Sequence, residues 1–281
     1  LEAFPPRDRV YAMAFCGLGI VVAPILGPVL GGWLTDNYSW RWVFYINVPV
    51  GVAAIIMMKL FIFDPPYIRR PTGRIDYWGI GMLAVGIGTL QILLDKGQQE
   101  DWLGSDFIRT LLVVSAVSLA AFLIYEMYVT HPVVDLRIFK VRTYAAGVFL
   151  MTVLGFVLFG SLVLLPIMLQ TLMGYPALNA GTALAPRGLG SFFFMPLVGV
   201  MLMKFDARKL LGLGIAGAAF TLIQLSWLNL NAGYWDFFWP QFFQGMALAF
   251  LFVPLTTASM DPIPHEQMGN ATSIFNLLRN I

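Results

Sequence analysis

Residues 19–32 read Gly-Ile-Val-Val-Ala-Pro-Ile-Leu-Gly-Pro-Val-Leu-Gly-Gly, and this stretch decides how the fold is interpreted. Its small residues recur four positions apart, which places them on one face of a helix: Gly19, Ala23, Gly27 and Gly31. Inside a membrane, such a face lets another helix backbone approach closely. Prolines at positions 24 and 28 each remove a backbone donor, so we expect this helix to bend. A bent helix with a smooth face is more typical of a transporter bundle than of a single membrane anchor.

The composition predicts an all-α polytopic membrane protein. Hydrophobic residues make up 59% of the chain and charged residues 11%, and the mean hydropathy is +0.78. A membrane-spanning helix needs roughly 20 consecutive apolar residues. Eight segments of the sequence reach this length, and a shorter apolar segment begins near Met268. We therefore predict eight complete transmembrane helices and a truncated ninth. The complete segments are Val10–Leu34, Val43–Phe63, Tyr77–Leu94, Ile108–Tyr128, Tyr144–Leu172, Ala177–Met203, Leu210–Leu230 and Phe238–Met260.

The distribution of positive charge predicts the orientation of these helices. With a cytoplasmic N-terminus, the cytoplasmic segments hold 12 Lys and Arg residues and the outer loops hold 3. Positive residues concentrate in cytoplasmic loops, so this asymmetry favours that orientation. The chain begins at Leu1 without a methionine and ends within an apolar segment, and we expect it to be an internal part of a longer protein.

Several function classes find no support in the sequence. Cys16 is the single cysteine, so an intrachain disulfide and a cysteine metal cluster are both excluded. His131 and His265 lie in separate polar loops and do not have the spacing of metal ligands. The sequence contains no phosphate-binding Gly-x-x-x-x-Gly-Lys-Ser/Thr loop and no hydrolase motif. We therefore predict no enzyme, no metal site, no cofactor and no nucleic-acid partner.

Two neighbouring motifs together resemble a known family. Gly27-Pro28-Val-Leu-Gly31-Gly32 resembles the antiporter motif in the fifth helix of drug–proton antiporters of the major facilitator superfamily. The run Trp40-Arg-Trp-Val-Phe-Tyr-Ile-Asn-Val-Pro-Val-Gly51 is similar to the start of the sixth helix in the 14-helix branch, which includes EmrB-type multidrug exporters. The residues that carry this second likeness are Trp40, Arg41, Trp42, Asn47, Pro49 and Gly51.

This resemblance implies a major facilitator fold with a three-part organisation. Residues 1–63 would hold the last two helices of the N-terminal six-helix bundle. Residues 64–143 would hold cytoplasmic connectors and the extra transmembrane helix pair of the branch. Residues 144–281 would form a truncated C-terminal bundle. The chain would then begin at the fifth helix and stop inside the thirteenth, and the acidic first-helix residue that the family uses for proton coupling lies outside it.

A few polar residues inside apolar segments are candidates for the substrate or proton path. Arg187 lies within Ala177–Met203, where a charge is costly and faces a cavity or a partner; the alternative is that it reaches the outer interface. Arg279 lies in the last segment, where it would line the path or form an ion pair inside the bundle; the alternative is that the helix starts elsewhere than predicted. Among the buried glutamines, whose default role is interhelical hydrogen bonding, Gln170 and Gln244 are our candidates for the path.

Two further positions have competing interpretations. The segment 204–209 resembles, in degraded form, a cytoplasmic loop of the family, so Asp206 and Arg208 would form a conformational latch; Arg208 equally serves as a topology signal. Glu126 lies near a membrane interface, where it would either take part in proton transfer or anchor the connector that follows.

The residues and the resemblance together predict a secondary active transporter. It would export hydrophobic drugs or toxic compounds across the bacterial inner membrane by proton antiport, with alternating access. The resemblance also implies a periplasmic adaptor and an outer-membrane channel as partners. The alternatives are a nutrient or ion symporter on the same fold and a polytopic membrane enzyme or scaffold. We expect Gly27→Leu to abolish export.

Overall fold

The computed structural model describes residues 25–61, 76–129, 134–264 and 267–280, and within these ranges it is helical with no strand. The first helix, α1, is described over residues 25–37. The helices that follow it are α2 (Trp42–Tyr45), α3 (Asn47–Phe61), α4 (Tyr77–Lys96), α5 (Asp106–Tyr128), α6 (Arg142–Ile167), α7 (Ala177–Leu202), α8 (Ala207–Ser226), α9 (Tyr234–Met260) and α10 (Met268–Asn280).

The helices confirm an all-α membrane protein. Seven spans within the described residues are long and apolar enough to cross a bilayer, with α2 and α3 together forming one of them. Most of the first predicted span, Val10–Leu34, lies outside the described residues, so the count of eight stays a prediction. The last helix, α10, has 13 residues, which is shorter than a bilayer requires.

Polar side chains set several helix boundaries that the apolar pattern missed. The Asp206 carboxylate accepts a hydrogen bond from the Arg208 backbone N–H at 2.9 Å, so α8 begins at Ala207 rather than at the predicted Leu210. The same helix ends at Ser226, four residues before the predicted Leu230. The Asp236 side chain accepts from the Gly233 N–H at 2.8 Å near the start of α9.

A proline changes the end of α6. Pro166 lies inside this helix, and the chain then continues as a π-helical turn over Met168–Leu172. Because proline has no N–H and clashes with the preceding turn, it favours a local change of helix type. Gln170 lies in this π-helical turn and is exposed.

The chain divides into two compact units, with boundaries after residue 63, within α6 and within α9. One unit comprises Leu1–Phe63 and Phe156–Ala258, and the other comprises Asp64–Gly155 and Ser259–Ile281. The three-part organisation implied by the family resemblance stays a prediction.

Two hydrogen bonds join α4 and α5 in the second unit. The Ser115 hydroxyl is buried and donates to the Gly86 carbonyl at 2.9 Å, and Ser118 donates to the Met82 carbonyl at 2.8 Å. Hydroxyl donors of this kind are a usual source of attraction between helices in lipid.

Helix α10 packs on α6 in the same unit. Tyr144, which is fully buried, donates to the Ala271 carbonyl at 2.8 Å. Asn270 exchanges two hydrogen bonds of 3.2 Å with the backbone of Asp135. The buried carboxylate of Glu126 accepts from the Val134 N–H at 3.4 Å, a contact that fits the anchoring interpretation of this residue.

Candidate functional site

A buried arginine lies at the centre of the candidate site, which belongs to the first unit. The Arg187 side chain projects from α7 and is only 7% exposed. Its Nη2 donates to the Ser161 hydroxyl of α6 at 2.8 Å and to the Gln244 Oε1 of α9. The Ser161 and Gln244 side chains also lie 3.5 Å apart, so three helices converge on one guanidinium.

Glycines bring α7 and α9 close enough for this contact. A Cβ added at Gly245 would lie 2.8 Å from the backbone carbonyl carbon of Arg187, and one added at Gly190 would lie 2.9 Å from the Met246 nitrogen. Real Cβ atoms do not approach backbone so closely, and only glycine permits this packing. The Ser191 hydroxyl also donates to the Gly245 carbonyl at 3.1 Å. These glycines therefore allow α7 and α9 to approach closely enough for Gln244 to reach Arg187.

Several buried polar atoms of the site have no hydrogen-bond partner among the described residues. Among the described residues, Arg187 Nε and Nη1 are buried without a hydrogen-bond partner. The fully buried Gln241, one turn before Gln244, likewise has no partner there for either side-chain amide atom. No Asp or Glu ion pair with Arg187 occurs in the part of the chain that the structure describes. Because buried polar groups are normally satisfied, the cluster can accept water, a negatively charged group or a polar part of a ligand.

The structure brings together two of the four residues predicted for the substrate or proton path. Arg187 and Gln244 are in contact, whereas Gln170 is exposed on the π-helical turn. Arg279 belongs to the other unit, where its backbone carbonyl packs against Gly155 of α6. Sequence reasoning missed Ser161, although a hydroxyl within an otherwise apolar stretch of α6 was the available signal.

Helices α1 and α7 run antiparallel and touch through glycine. A Cβ at Gly32 would lie 2.7 Å from the Leu178 Cα. Gly181 packs in the same way on the Pro28 backbone, and Gly188 packs on the backbone and side chain of Ile25. The contact face of α1 therefore contains Ile25, Pro28 and Gly32.

Within the described residues, α7 does not contact the predicted packing face of α1, and the role of that face stays a prediction. Gly27 is exposed, and a Cβ added at Gly27 or at Gly31 would meet nothing within 4 Å. The contact face lies about 100° around the helix from the predicted one, because each residue turns the helix by that angle. Gly19 and Ala23 lie outside the described residues, so their packing stays a prediction.

A carboxylate that sequence reasoning missed joins the same two helices. Asp36 Oδ1 accepts from the Ala177 N–H at 3.1 Å, and its Oδ2 accepts from the Leu178 N–H at 2.7 Å. These are the first two N–H groups of α7, which lack partners within the helix. The residue at the N-cap position, Pro176, makes no side-chain capping bond. A proline at this position cannot cap the helix, and this was the feature of the sequence that indicated a cap supplied from elsewhere.

The motif at the start of the sixth helix forms an aromatic turn. The Arg41 guanidinium lies 5.1 Å from the centroid of the Trp40 ring, within the range of a cation–π contact. Asn47 donates to the Val43 carbonyl at 3.0 Å. Trp42 and Pro49 line an apolar cavity of about 450 Å³. Gly51 is exposed, and a Cβ there would meet nothing within 4 Å.

The two residues predicted as a cytoplasmic latch have separate surroundings. Asp206 caps α8 by accepting from the Arg208 backbone N–H. The Arg208 side chain is exposed and makes no ion pair in the described ranges. Their role as a latch stays a prediction.

Comparison with known proteins identifies the relatives of this chain. A family model described as Major Facilitator Superfamily matches residues 1–281. The chain is 39% identical to the fatty acid resistance protein FarB of Neisseria gonorrhoeae, over 99% of this chain and 55% of that protein. It is 37% identical to the multidrug export protein EmrB of Escherichia coli K12, over 100% of this chain and 55% of that protein.

A more distant relative is the colistin resistance protein EmrB of Acinetobacter baumannii, which is 28% identical over 99% of this chain. The chain thus spans about half the length of the curated relatives it matches. These matches confirm the resemblance to EmrB-type multidrug exporters that the antiporter motif and the start of the sixth helix indicated.

Proposed function

We propose, because the chain belongs to the major facilitator superfamily, that the protein containing it exports hydrophobic drugs or toxic compounds by proton antiport. Its spans and its family make it a multi-pass protein of the bacterial inner membrane. The observation that carries the proposal is the identity of 36–39% to proteins named for multidrug export or for resistance, along essentially the whole of this chain.

The buried polar cluster supports a transport path through the first unit. Arg187 and Gln241 place unpaired donors and an acceptor among buried, mostly apolar helices, and Gln244 is hydrogen-bonded to Arg187 beside them. A charge at membrane depth is costly, and such residues mark substrate or ion pathways in membrane proteins. In our proposal the apolar surroundings hold the hydrophobic body of the compound, and the cluster contacts its polar group or a proton-carrying carboxylate.

The transport cycle follows from this arrangement by alternating access. Two conformations expose the same central site first to the cytoplasm and then to the outside, so that the compound never meets an open channel. The contact between α1 and α7 closes the end of the bundle that the Lys and Arg distribution assigns to the outer side. We further propose that the protein has no enzymatic activity of its own, and that it works with a periplasmic adaptor and an outer-membrane channel.

Transport into inside-out vesicles tests the direction and the energy source. The full-length protein is produced in a pump-deficient bacterium, and respiration acidifies the vesicle lumen. An exporter accumulates a fluorescent hydrophobic drug in the lumen, and a protonophore abolishes the accumulation. Membranes from the same strain without the protein provide the control. Accumulation only in right-side-out vesicles would instead establish a symporter on the same fold, and accumulation that survives the protonophore would contradict proton antiport.

A further inference from the structure

The start of α7 depends on a side chain from a distant helix. The two carboxylate oxygens of Asp36 accept from the N–H groups of Ala177 and Leu178, which lie 141 and 142 positions further along the chain. A carboxylate at a helix N-terminus makes charge-assisted hydrogen bonds and interacts favourably with the helix dipole. These two bonds therefore satisfy the end of α7 and also join α7 to α1.

Asp206, in the described part of the chain, is a local acidic cap. It accepts from the Arg208 N–H, two positions away, so its removal affects one helix terminus. Asp76 caps α4 by accepting from the Gly79 N–H and also accepts from the Tyr125 hydroxyl of α5, so it joins two helices as Asp36 does. Removing Asp36 would leave a helix terminus without a cap and would also free one helix from another.

The other close approaches between α1 and α7 are van der Waals contacts at glycines. They lie at Gly32, Gly181 and Gly188, where the facing atoms are backbone and, at Gly188, also the Ile25 side chain. Dispersion is not directional, whereas a pair of hydrogen bonds requires one geometry. Asp36 thus supplies directional bonds at one end of a contact that is otherwise van der Waals packing.

We propose that Asp36 is a positioning residue that latches the outer ends of α1 and α7 together in the outward-closed state. The inference rests on the alternating-access function proposed above, because opening to the outside separates these ends. Each cycle then breaks the two hydrogen bonds and forms them again. The latch stabilises one conformation and makes no contact with the transported compound.

The expected size of the effect follows from the exposure of Asp36. The side chain is exposed, so water and salt screen its charge and keep the contribution moderate. Loss of an acidic cap typically shifts an equilibrium by about five- to tenfold. We therefore expect Asp36→Ala to reduce the ratio of closed to open molecules by about that factor, and to do so less in high salt.

The experiment measures the distance between the two helix ends in the full-length protein. Spin labels are attached at Asn37→Cys and Asn179→Cys, which are exposed positions on α1 and α7, in a protein without its native cysteines. Distance distributions are recorded in lipid nanodiscs without drug. We expect Asp36→Ala to increase the long-distance population. The matched control is Asp236→Ala, which removes an exposed carboxylate whose hydrogen bond among the described residues is local, to the Gly233 N–H just before α9, and it should leave the distribution unchanged.

A second substitution separates the latch from simple capping. Pro176→Asp places a cap within α7 itself, so that Asp36→Ala combined with Pro176→Asp restores the helix terminus without restoring the link to α1. The latch predicts that this double variant regains thermal stability and keeps the long-distance population. A return to the parental distance distribution would show that Asp36 only caps α7 and would overturn the proposal.

The same measurement distinguishes the latch from the proposed function. The distance distribution needs no drug and no proton gradient. A shifted distribution in a protein that exports nothing would retain the latch and refute drug export. An unchanged distribution in Asp36→Ala, with export intact, would refute the latch alone.

Discussion

Adding one methyl group to Gly32 should separate α1 from α7, whereas adding it to Gly27 should not. In Gly32→Ala the new Cβ would lie 2.7 Å from the Leu178 Cα and 2.8 Å from the Ala177 carbonyl carbon. Carbon atoms in contact prefer about 3.5–4.0 Å, so the helices must move apart by about 1 Å. Both neighbours are backbone atoms and cannot turn aside. The shift would also stretch the bonds that Asp36 makes at 2.7 and 3.1 Å beyond hydrogen-bonding distance.

The expected change in the free energy of unfolding differs in size and sign between Gly32→Ala and Gly27→Ala. Overpacking costs about 1–3 kcal/mol, and loss of the Asp36 cap adds about 1 kcal/mol. Replacing glycine by alanine inside a helix returns about 0.5–1 kcal/mol through helix propensity. We therefore expect Gly32→Ala to destabilise the protein by about 1–3 kcal/mol. Gly27→Ala meets no neighbour among the described residues and should be neutral or stabilise by about 0.5 kcal/mol.

Thermal unfolding in detergent, with tryptophan fluorescence as the signal, measures this difference, and drug resistance at matched expression measures function. Gly32→Ala should lower both the unfolding temperature and the resistance, and Gly27→Ala should lower neither. Equal behaviour of the two variants would refute the close contact at Gly32. This pair replaces Gly27→Leu as the test of the helix contact, because the structure places the contact at Gly32.

Three further predictions concern the buried polar groups. Arg187→Gln should reduce drug accumulation in inside-out vesicles by at least about tenfold at unchanged protein level, since the buried charge is lost. The control is Arg109→Gln, which changes an exposed ion pair. Equal activity of the two variants would contradict a path through the cluster. Gln241→Leu should leave the unfolding temperature unchanged or raise it, because two unpaired buried atoms are removed. Drug accumulation in the vesicles should nevertheless fall. A large loss of stability would show that Gln241 has hydrogen-bond partners. Ser115→Ala should cost about 0.6 kcal/mol in unfolding free energy by removing its bond to the Gly86 carbonyl, and no change in unfolding would refute that bond.

The sequence alone determined the helices and the family. A helix in lipid must satisfy its backbone internally, so a run of about 20 apolar residues is sufficient to predict a span without knowledge of its neighbours. The structure confirms seven such spans in the described residues, and the family model matches the whole chain. Arg187 was also a candidate from the sequence, because a charge within an apolar run is costly wherever its neighbours lie.

Only the tertiary structure decided which surfaces meet. Helix α1 carries small residues on more than one face, and the position of α7 selects the face with Gly32 over the one with Gly27. The partners of Arg187 and α7 come from far along the chain: Gln244 is 57 positions from Arg187, and Asp36 is 141 positions from Ala177. Local periodicity describes one helix at a time, whereas a contact between helices depends on the relative rotation and depth of both. That information is set by packing across the bundle, and no single segment of the sequence contains it.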